Sequence, residues 1–239
     1  MTRMAEPTPH LVHIFSGTWD IPSESPFCLK LLTWMKIADV PFETVTLRGP
    51  AKSKSGKAPY IAREDGTILE DSSLIIETLT REHDVTLDSD RTPVQRATMV
   101  MAQRMLESHL YFVVLLHRWR DHWPAVRAAY FEGNIPAPVL WAVGPSIRRA
   151  TLKQAQGQGL GKMPWERAVA EAVADLKSLS VVLGEDDYFF GSPGMMDAIA
   201  YGSLENIHGE PLDGPLKDAL HSHPNLMGWL DRMRTRYWS

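Results

Sequence analysis

An abrupt change in the hydrophobic pattern near residue 90 constrains the fold of this 239-residue chain more than any other feature. After Pro93, neither glycine nor proline occurs before Pro124, and apolar residues recur at spacings of three, four and seven. This pattern predicts one long helix of roughly 45 Å, at about 1.5 Å per residue. The apolar positions are Val94, Ala97, Met101, Met105, Phe112, Leu115 and Trp119.

The remainder of the C-terminal region also favours helices. Apolar residues repeat at helical spacing over 165–183, and no segment after residue 90 has the alternation typical of a strand. We therefore expect residues 93–239 to form an all-helical domain. Shorter helices are predicted at about 195–206, 214–221 and 225–236.

The N-terminal region instead mixes short β-rich segments with helical ones. Asp65-Gly66 is the strongest hairpin signal in the chain, and a strand–helix–strand order implies a parallel crossover. A mixed four-stranded sheet with packed helices is expected over residues 11–84, with a flexible tail at 1–10 and a linker at 85–92. The predicted strands lie at 11–17, 41–47 and 60–71 (a hairpin), and the predicted helices at 26–40 and 72–83.

The bulk composition excludes several classes of protein. A net charge of −4 does not suit binding to nucleic acid through its phosphates. The single cysteine excludes an intrachain disulfide, and no segment predicts a signal peptide or a membrane anchor, so we expect a cytoplasmic protein. His109, His117 and His122 are offset by eight and five residues rather than four, so no metal site is predicted.

Four segments together carry a resemblance to a known family. In their order and spacing they resemble the glutathione S-transferase superfamily, nearest the branch of the Fax (failed axon connections) and metaxin-like proteins. The resemblance implies a thioredoxin-like N-terminal domain followed by an all-α domain, with glutathione as co-substrate, a small electrophile and a homodimer. The segments are SPFCLKLLTWMKIADVPFE (25–43), SGKAPYI (55–61), LEDSSLIIETL (69–79) and HPNLMGWLDRMRTRYW (223–238).

Ser25 is the candidate catalytic residue. It precedes Pro26 at the start of a predicted helix, at the position of the cysteine in C-P-x-x members of the superfamily. A serine there cannot form a mixed disulfide, but its hydroxyl can donate a hydrogen bond to a bound thiolate. Serine is also a good helix N-cap, and a structural role alone is the competing interpretation. Ser16, Thr18 and Ser23 are alternative hydroxyl donors in the same loop.

The resemblance also implies a set of glutathione-binding residues. Pro59 matches the cis-proline of the superfamily, and Ala58 would present its backbone to the cysteinyl part of glutathione. Ser72 would bind the γ-glutamyl carboxylate and Asp71 the ammonium group. Lys54, in preference to its neighbours Lys52 and Lys57, is the candidate partner of the glycine carboxylate. The segment 48–57 is too short and too rich in glycine, proline and serine for a full helix.

Other residues have predicted roles beyond glutathione binding. Arg104, Tyr111 and Arg118 on the long helix are expected to line the pocket for the electrophile, because the matching helix faces the cleft in the superfamily. Cys28 is expected to be a buried packing residue, and Asp197 a structural residue that caps its helix with Gly194. GQGLGK (157–162) lacks the spacing of a phosphate loop and is interpreted as a flexible loop between helices.

Three functions are consistent with these observations. The first is a glutathione transferase in which Ser25 or a neighbouring hydroxyl stabilises the thiolate for attack on a small apolar electrophile. The second is a non-catalytic, soluble interaction protein of the Fax or metaxin type. The third, a glutathione-dependent thiol reductase, is least favoured because position 25 is serine.

Overall fold

A four-stranded mixed sheet organises the N-terminal domain in the computed structural model, which describes residues 8–47, 49 and 51–239. The strand order is β2-β1-β3-β4, with β1 and β2 parallel and the other pairs antiparallel. This topology confirms the predicted thioredoxin-like fold. The elements are β1 (His10–Ile14), α1 (Pro26–Ile37), β2 (Phe42–Thr46), β3 (Tyr60–Ala62), β4 (Ile68–Glu70) and α2 (Ser72–Glu82).

Strand β1 is displaced from its predicted range. It begins at His10, inside the predicted tail, and ends at Ile14, three residues before the predicted end. The chain turns sharply after the strand, because a Cβ added at Gly17 would lie 2.0 Å from the carbonyl oxygen of Ile21. Residues 1–7 of the predicted tail, and Arg48 and Pro50 of the loop before β3, lie outside the described residues.

The long helix predicted from residue 93 is a continuous helical rod with two irregular segments. Thr92 and Gln95 form a capping box at its start, and the rod continues to Asp121. Leu106–Leu110 and His117–Asp121 adopt π-helical geometry, which is common near functional sites. The regular parts are α3 (Pro93–Met105) and α4 (Tyr111–Leu116).

Two helices of the C-terminal domain were not predicted, α5 (Trp123–Phe131) and α6 (Ala137–Gln158). Prolines and glycines obscure their pattern, since α6 contains Pro145 in its interior. The GQGLGK segment is the end of α6 followed by a short 3-10 turn, with Gly159 at φ +115° terminating the helix. The remaining helices are α7 (Trp165–Leu183), α8 (Met195–His208), α9 (Pro215–His221) and α10 (Pro224–Tyr237).

The two domains meet along helices α1 and α8. A Cβ added at Gly202 of α8 would lie 2.4 Å from the carbonyl oxygen of Pro26, so glycine permits the close approach of the two helices. The N-terminal core packs α1 and α2 against the sheet, and the helical core centres on residues such as Leu176 and Trp229. None of the described helices combines the length and the apolar character needed to cross a membrane.

Candidate functional site

Three of the sequence motifs meet at one edge of the sheet. His13 of β1 lies opposite Tyr60 of β3, and Tyr60 lies opposite Glu70 of β4. The end of β1, the start of β3 and the end of β4 are therefore adjacent. The Ala58–Pro59 pair directly precedes β3 and the Asp71–Ser72 pair directly follows β4, so the strand register brings both to this edge. Ser25 is held near the end of β1 by Ser23, which hydrogen-bonds to both Phe15 and Ser25.

Ser25 caps helix α1 and retains the ability to donate a hydrogen bond. Its side-chain oxygen accepts a hydrogen bond of 3.4 Å from the backbone N–H of Cys28, and the residue is half-buried. This bond leaves the hydroxyl proton unused, so the proton can point toward the Cys28 sulfur or toward a bound anion. The N-terminal end of the α1 dipole favours negative charge at the same point.

Among the alternative donors, Ser23 is committed elsewhere. It is completely buried, donates its hydroxyl proton to the carbonyl oxygen of Phe15 (3.0 Å) and accepts the backbone N–H of Ser25 (3.3 Å). Ser23 therefore holds the loop in shape and positions Ser25. Ser16 and Thr18 lie farther from the helix N-terminus along the chain and stay as alternatives.

Cys28 is buried beneath Ser25 with no exposed surface. Burial raises the pKa of its thiol to about 11, against smaller opposing effects of hydrogen bonds that involve Ser25 and Ser23. The thiol therefore stays protonated at neutral pH and is unsuited to nucleophilic attack. The prediction that Cys28 is a packing residue is confirmed.

The Ala58–Pro59 peptide bond is cis, as the resemblance implied, and both residues are buried. Asp71 caps α2 through a single carboxylate oxygen, Oδ1, which accepts the backbone N–H groups of Ser73 (2.9 Å) and Leu74 (3.2 Å). Asp71 is exposed, so its second oxygen can accept an ammonium group. Ser72 occupies the first position of α2 and is buried.

Lys54 is exposed on the loop before β3, as are Lys52 and Lys57. Glu70 fastens this loop to the same edge of the sheet, because its Oε2 accepts the backbone N–H (3.0 Å) and hydroxyl (2.8 Å) of Ser55. These hydrogen bonds, more than the nearby Lys54, lower the pKa of Glu70. The loop therefore holds a cationic side chain near the site, although the role of Lys54 stays a prediction.

A narrow cleft lies between the domains, next to the start of α1. Tyr111 of α4 lines this cleft, and its ring packs edge-on against Phe27 at 5.1 Å between centroids. Its role in an electrophile pocket stays a prediction. Arg104 is exposed on α3 and does not line the cleft. Among the described residues, Lys30 and Glu107 are the charged residues that do.

Arg118 has a different environment from the predicted one. Only 6% of it is exposed, and its guanidinium donates to Glu210 Oε2 (2.9 Å), Asn206 Oδ1 (2.7 Å) and the carbonyl oxygen of Glu24 (2.9 Å). Burial alone would lower the pKa of Arg118, but the buried Glu210 carboxylate, together with Tyr130 and Tyr111, outweighs this effect and raises it. Arg118 is therefore not an open pocket-lining cation. It ties the segment before Ser25 to the helical domain.

Sequence reasoning did not identify Lys30, Glu107 or Glu24. The Lys30 ammonium group, only 2% exposed, donates to Glu107 Oε1 (2.5 Å) and Ser73 Oγ (3.0 Å) across the domain boundary. The only signal in the sequence was a lysine within the apolar run of α1. This lysine indicates a buried ion pair only once its partners, Ser73 on α2 and Glu107 on the first π-helical segment, are known. Glu24 gave no sequence signal at all.

Comparisons with known proteins agree with this geometry. Residues 26–124 match the family described as the glutathione S-transferase N-terminal domain, and residues 172–233 match the glutathione S-transferase C-terminal domain. The isoprene-epoxide–glutathione S-transferase of Rhodococcus sp. (strain AD45) is 30% identical over 95% of this chain and 98% of its own length.

More distant relatives have other names. Failed axon connections of Drosophila melanogaster is 29% identical over 93% of this chain, which spans 56% of that protein. The metaxin-1 homolog of Caenorhabditis briggsae is 24% identical over 95% of this chain and 73% of its own length. The fold is similar to a glutathione S-transferase of Ceriporiopsis subvermispora in complex with glutathione (TM-score 0.66, 14% identity, 97% of this chain and 99% of that chain).

The strand register, the cis-proline edge and the helical domain agree with the family matches over both halves of the chain. The chain belongs to the glutathione S-transferase superfamily, and its relatives include the Failed axon connections and metaxin-like proteins.

Proposed function

We propose that this protein is a glutathione transferase that binds glutathione at the Ser25 edge of the sheet and delivers its sulfur to a small apolar electrophile. The observation that carries this proposal is the convergence of Ser25, the cis Ala58–Pro59 bond and the start of α2 at one edge. A hydrogen-bond donor, a strand-like backbone and a helix N-terminus together suit a peptide that bears a thiolate and carboxylates.

The bound tripeptide has a defined orientation in this proposal. Its cysteinyl backbone pairs with Ala58, its γ-glutamyl carboxylate meets Ser72 and the start of α2, and its ammonium group meets the outward oxygen of Asp71. Lys54 approaches the glycine carboxylate. The sulfur then lies beside Ser25, where the hydroxyl and the α1 dipole favour the anion over the thiol, whose ordinary pKa is about 8.5.

The electrophile occupies the cleft between the domains, where Phe27 and Tyr111 provide an aromatic wall. This lining suits a small apolar molecule close to the start of α1. The name of the Rhodococcus relative specifies an isoprene epoxide. We extend this class of substrate, a small epoxide, to the present protein.

Ultraviolet difference absorbance of bound glutathione, titrated across pH, tests the proposal directly. The wild-type protein should hold glutathione as the thiolate at neutral pH. Ser25→Ala should still bind glutathione but lower the ionisation constant of its thiol by about tenfold, the equivalent of about 1.4 kcal/mol for one lost hydrogen bond to an anion. Ser16→Ala is the matched control, because it removes a neighbouring hydroxyl away from the helix start.

The outcome separates the proposal from its main alternative. If neither wild type nor variant binds glutathione, the site is not a transferase site and Ser25 serves only as a helix cap. A non-catalytic interaction protein, favoured by the 29% identity to Failed axon connections, would then be the better description.

We also propose that the protein forms a homodimer through an apolar surface on α2 and α3. Leu74, Val94, Val100 and Met101 are each more than half exposed there, a grouping that favours association over solvation. Sedimentation velocity should show a dimer that Met101→Asp converts to monomer, while Val181→Asp, an equally exposed site on α7, should leave it dimeric. A wild-type chain that sediments as a monomer at every concentration would exclude this surface as a dimer interface.

A further inference from the structure

The most exposed large apolar side chain in the part of the chain that the structure describes is Trp141, in the second turn of α6, with 82% of its surface open to solvent. The exposed residues beside it are apolar as well. We call them together the α6 patch: Pro138, Val139, Trp141, Ala142, Val143 and Pro145. Apolar residues scattered singly over a surface need no explanation, whereas a contiguous group of them marks a site of interaction.

The opposite side of α6 holds the patch in its outward position. Leu140 and Gly144, four residues apart and therefore on one face of the helix, are both buried. A Cβ added at Gly144 would lie 3.6 Å from the ring of Trp123, so the helix packs closely on the start of α5. Because this side of the helix is already used for packing, α6 cannot rotate to bury Trp141.

The second half of α6 is basic. Arg148, Arg149 and Lys153 follow the patch, and the sequence of α6 contains no acidic residue. The Arg148 guanidinium donates to two neutral acceptors, the carbonyl oxygens of Trp119 (2.8 Å) and Arg120 (3.0 Å), which fix its position without neutralising its charge. Arg149 and Lys153 are exposed. Exposed positive charge therefore begins about 12 Å from Trp141 along the helix, at about 1.5 Å per residue.

This positive charge is confined to one region of an acidic chain. Residues 123–165 contain five basic residues and a single acidic one, Glu132, which pairs with Arg127 at 3.2 Å. The chain as a whole has a formal net charge of −4, so the remaining residues are strongly acidic. A basic area next to an apolar patch, on a protein that is otherwise acidic, is complementary to an anionic surface.

The charge and the shape of this surface distinguish among its possible partners. A second copy of the chain is disfavoured, because a two-fold contact centred on the patch would bring Arg149 and Lys153 of both copies close together. A peptide partner fits best into a groove, whereas a tryptophan that is 82% exposed projects from the surface. A lipid bilayer requires neither a self-complementary contact nor a groove, and its anionic headgroups match the basic half of α6.

We propose that the α6 patch docks reversibly on anionic lipid bilayers, with Trp141 at the boundary between headgroups and acyl chains and with Arg149 and Lys153 at the headgroup phosphates. Tryptophan is enriched at the membrane–water interface. Helices that combine such residues with Lys and Arg bury their apolar side chains about 5–10 Å deep. The long basic side chains reach the headgroups while their stems stay against apolar surface.

Co-sedimentation with lipid vesicles tests the apolar part of this surface. In 0.1 M NaCl the wild-type protein should bind vesicles of phosphatidylcholine with 30% phosphatidylglycerol at least about tenfold more tightly than vesicles of phosphatidylcholine alone. Trp141→Ser should weaken binding to the anionic vesicles by about tenfold, because the inserted ring is lost. Val181→Ser is the control, since Val181 is 73% exposed on α7, and it should bind as wild type.

A pair of double variants tests the basic part. Each basic side chain near an anionic membrane strengthens binding about fivefold, so Arg149→Gln combined with Lys153→Gln should weaken it by about thirtyfold. Arg167→Gln combined with Lys177→Gln removes the same net charge from exposed positions on α7 and should change binding less than about threefold. The contrast separates a local contact from the effect of overall charge.

A site-specific label reports which face enters the bilayer. Cys28 is the single cysteine and is completely buried, so a thiol-reactive, environment-sensitive dye can be directed to an introduced surface cysteine. Ser146→Cys places the dye on the exposed side of α6, and its emission should shift to the blue when anionic vesicles are added. Ser178→Cys places it on the exposed side of α7, where no shift is expected.

Several results would overturn this inference. No binding to anionic vesicles would point to an acidic protein as the partner, and equal binding by the wild-type protein and Trp141→Ser would exclude insertion of the patch. A dimer that Trp141→Ser converts to monomer in sedimentation velocity without lipid would make the patch a contact between copies. The inference is independent of the proposed function, because the patch lies between the matched ranges 26–124 and 172–233 and the vesicle assays contain no glutathione. Failure of vesicle binding therefore leaves the transferase intact, and failure of glutathione binding leaves the membrane contact intact.

Discussion

Two carboxyl groups, one fully buried and one half-buried, both have a raised pKa in surroundings that differ. Burial raises the pKa of Asp197, at the start of α8, and of Glu24, beside Ser25, in each case to about 7. Asp197 accepts three hydrogen bonds, from the backbone N–H groups of Phe189 (3.1 Å) and Gly194 (3.0 Å) and from Trp229 Nε1 (2.8 Å). Glu24 Oε2 accepts none among the described residues.

The difference shows that a raised pKa alone does not identify a functional group. The acceptor capacity of Asp197 is used to hold the start of a buried helix, so no part of it is available to a ligand. Glu24 is half-buried, its own backbone N–H and Arg118 only partly offset the effect of burial on its pKa, and Oε2 has no hydrogen-bond partner among the described residues. A group of this second kind, next to a proposed thiolate site, is the better functional candidate.

The Asp197 region receives further support from the linker between the domains. Asp88 Oδ2 accepts the backbone N–H of Met195 (2.8 Å), and its other oxygen pairs with Arg91 (2.8 Å). A Cβ added at Gly194 would lie 2.3 Å from Asp88 Oδ1, so a serine or threonine cap does not fit there. Asp88 accepts the first N–H of α8, which the helix itself leaves unpaired, and its carboxylate occupies the space that a cap side chain would need, which explains the glycine in this motif.

The largest expected effect is the loss of stability on replacing Asp197. Asp197→Ala leaves two buried backbone N–H groups and the indole N–H of Trp229 without an acceptor, and each orphaned donor costs about 1–3 kcal/mol. The free energy of unfolding in urea at pH 7 should fall by about 4 kcal/mol, with the protein that remains folded still binding glutathione.

Asp186→Ala provides the control for this prediction, because Asp186 is an exposed acidic residue in the loop after α7. It should change the free energy of unfolding by less than about 0.5 kcal/mol. Similar losses in the two variants would show that the hydrogen bonds of Asp197 contribute little, and the contrast with Glu24 would then have no energetic basis.

The fold and the glutathione edge could be predicted because their signals are local. Pro26 after Ser25, the Asp65-Gly66 turn and the Asp71 cap each mark the start or end of an element through their own backbone preferences. The long rod was also predictable, since an uninterrupted apolar period needs no knowledge of its partners. Its two π-helical segments were not predictable, because no local residue preference marks the change in hydrogen bonding.

The electrophile side of the site could not be predicted for the opposite reason. Arg118 appeared to be a pocket residue because it lies on the helix that faces the cleft. Its burial depends on Glu210, 92 residues away in the sequence, and on Asn206. The pairing of Lys30 with Glu107 and the environment of Glu24 likewise depend on how two domains pack, which leaves no short-range trace.

The smallest expected effect is the pH dependence of the stability of Glu24→Gln, and it tests the contrast between Glu24 and Asp197 most directly. Between the unfolded pKa of Glu24, about 4.5, and its folded pKa of about 7, the folded protein retains a proton that the unfolded chain releases. Stability due to this group therefore falls as the pH rises through that range. Glu24→Gln removes this dependence, so urea unfolding should show the variant equal to wild type near pH 4.5 and about 1 kcal/mol more stable at pH 8, after allowance for screening.

Asp197 titrates over a similar range but is present in both proteins, so its contribution cancels in the difference. A variant that is less stable than wild type at pH 8 would mean that ionised Glu24 supports Arg118 as Glu210 does, and Glu24 would then be a structural carboxylate like Asp197.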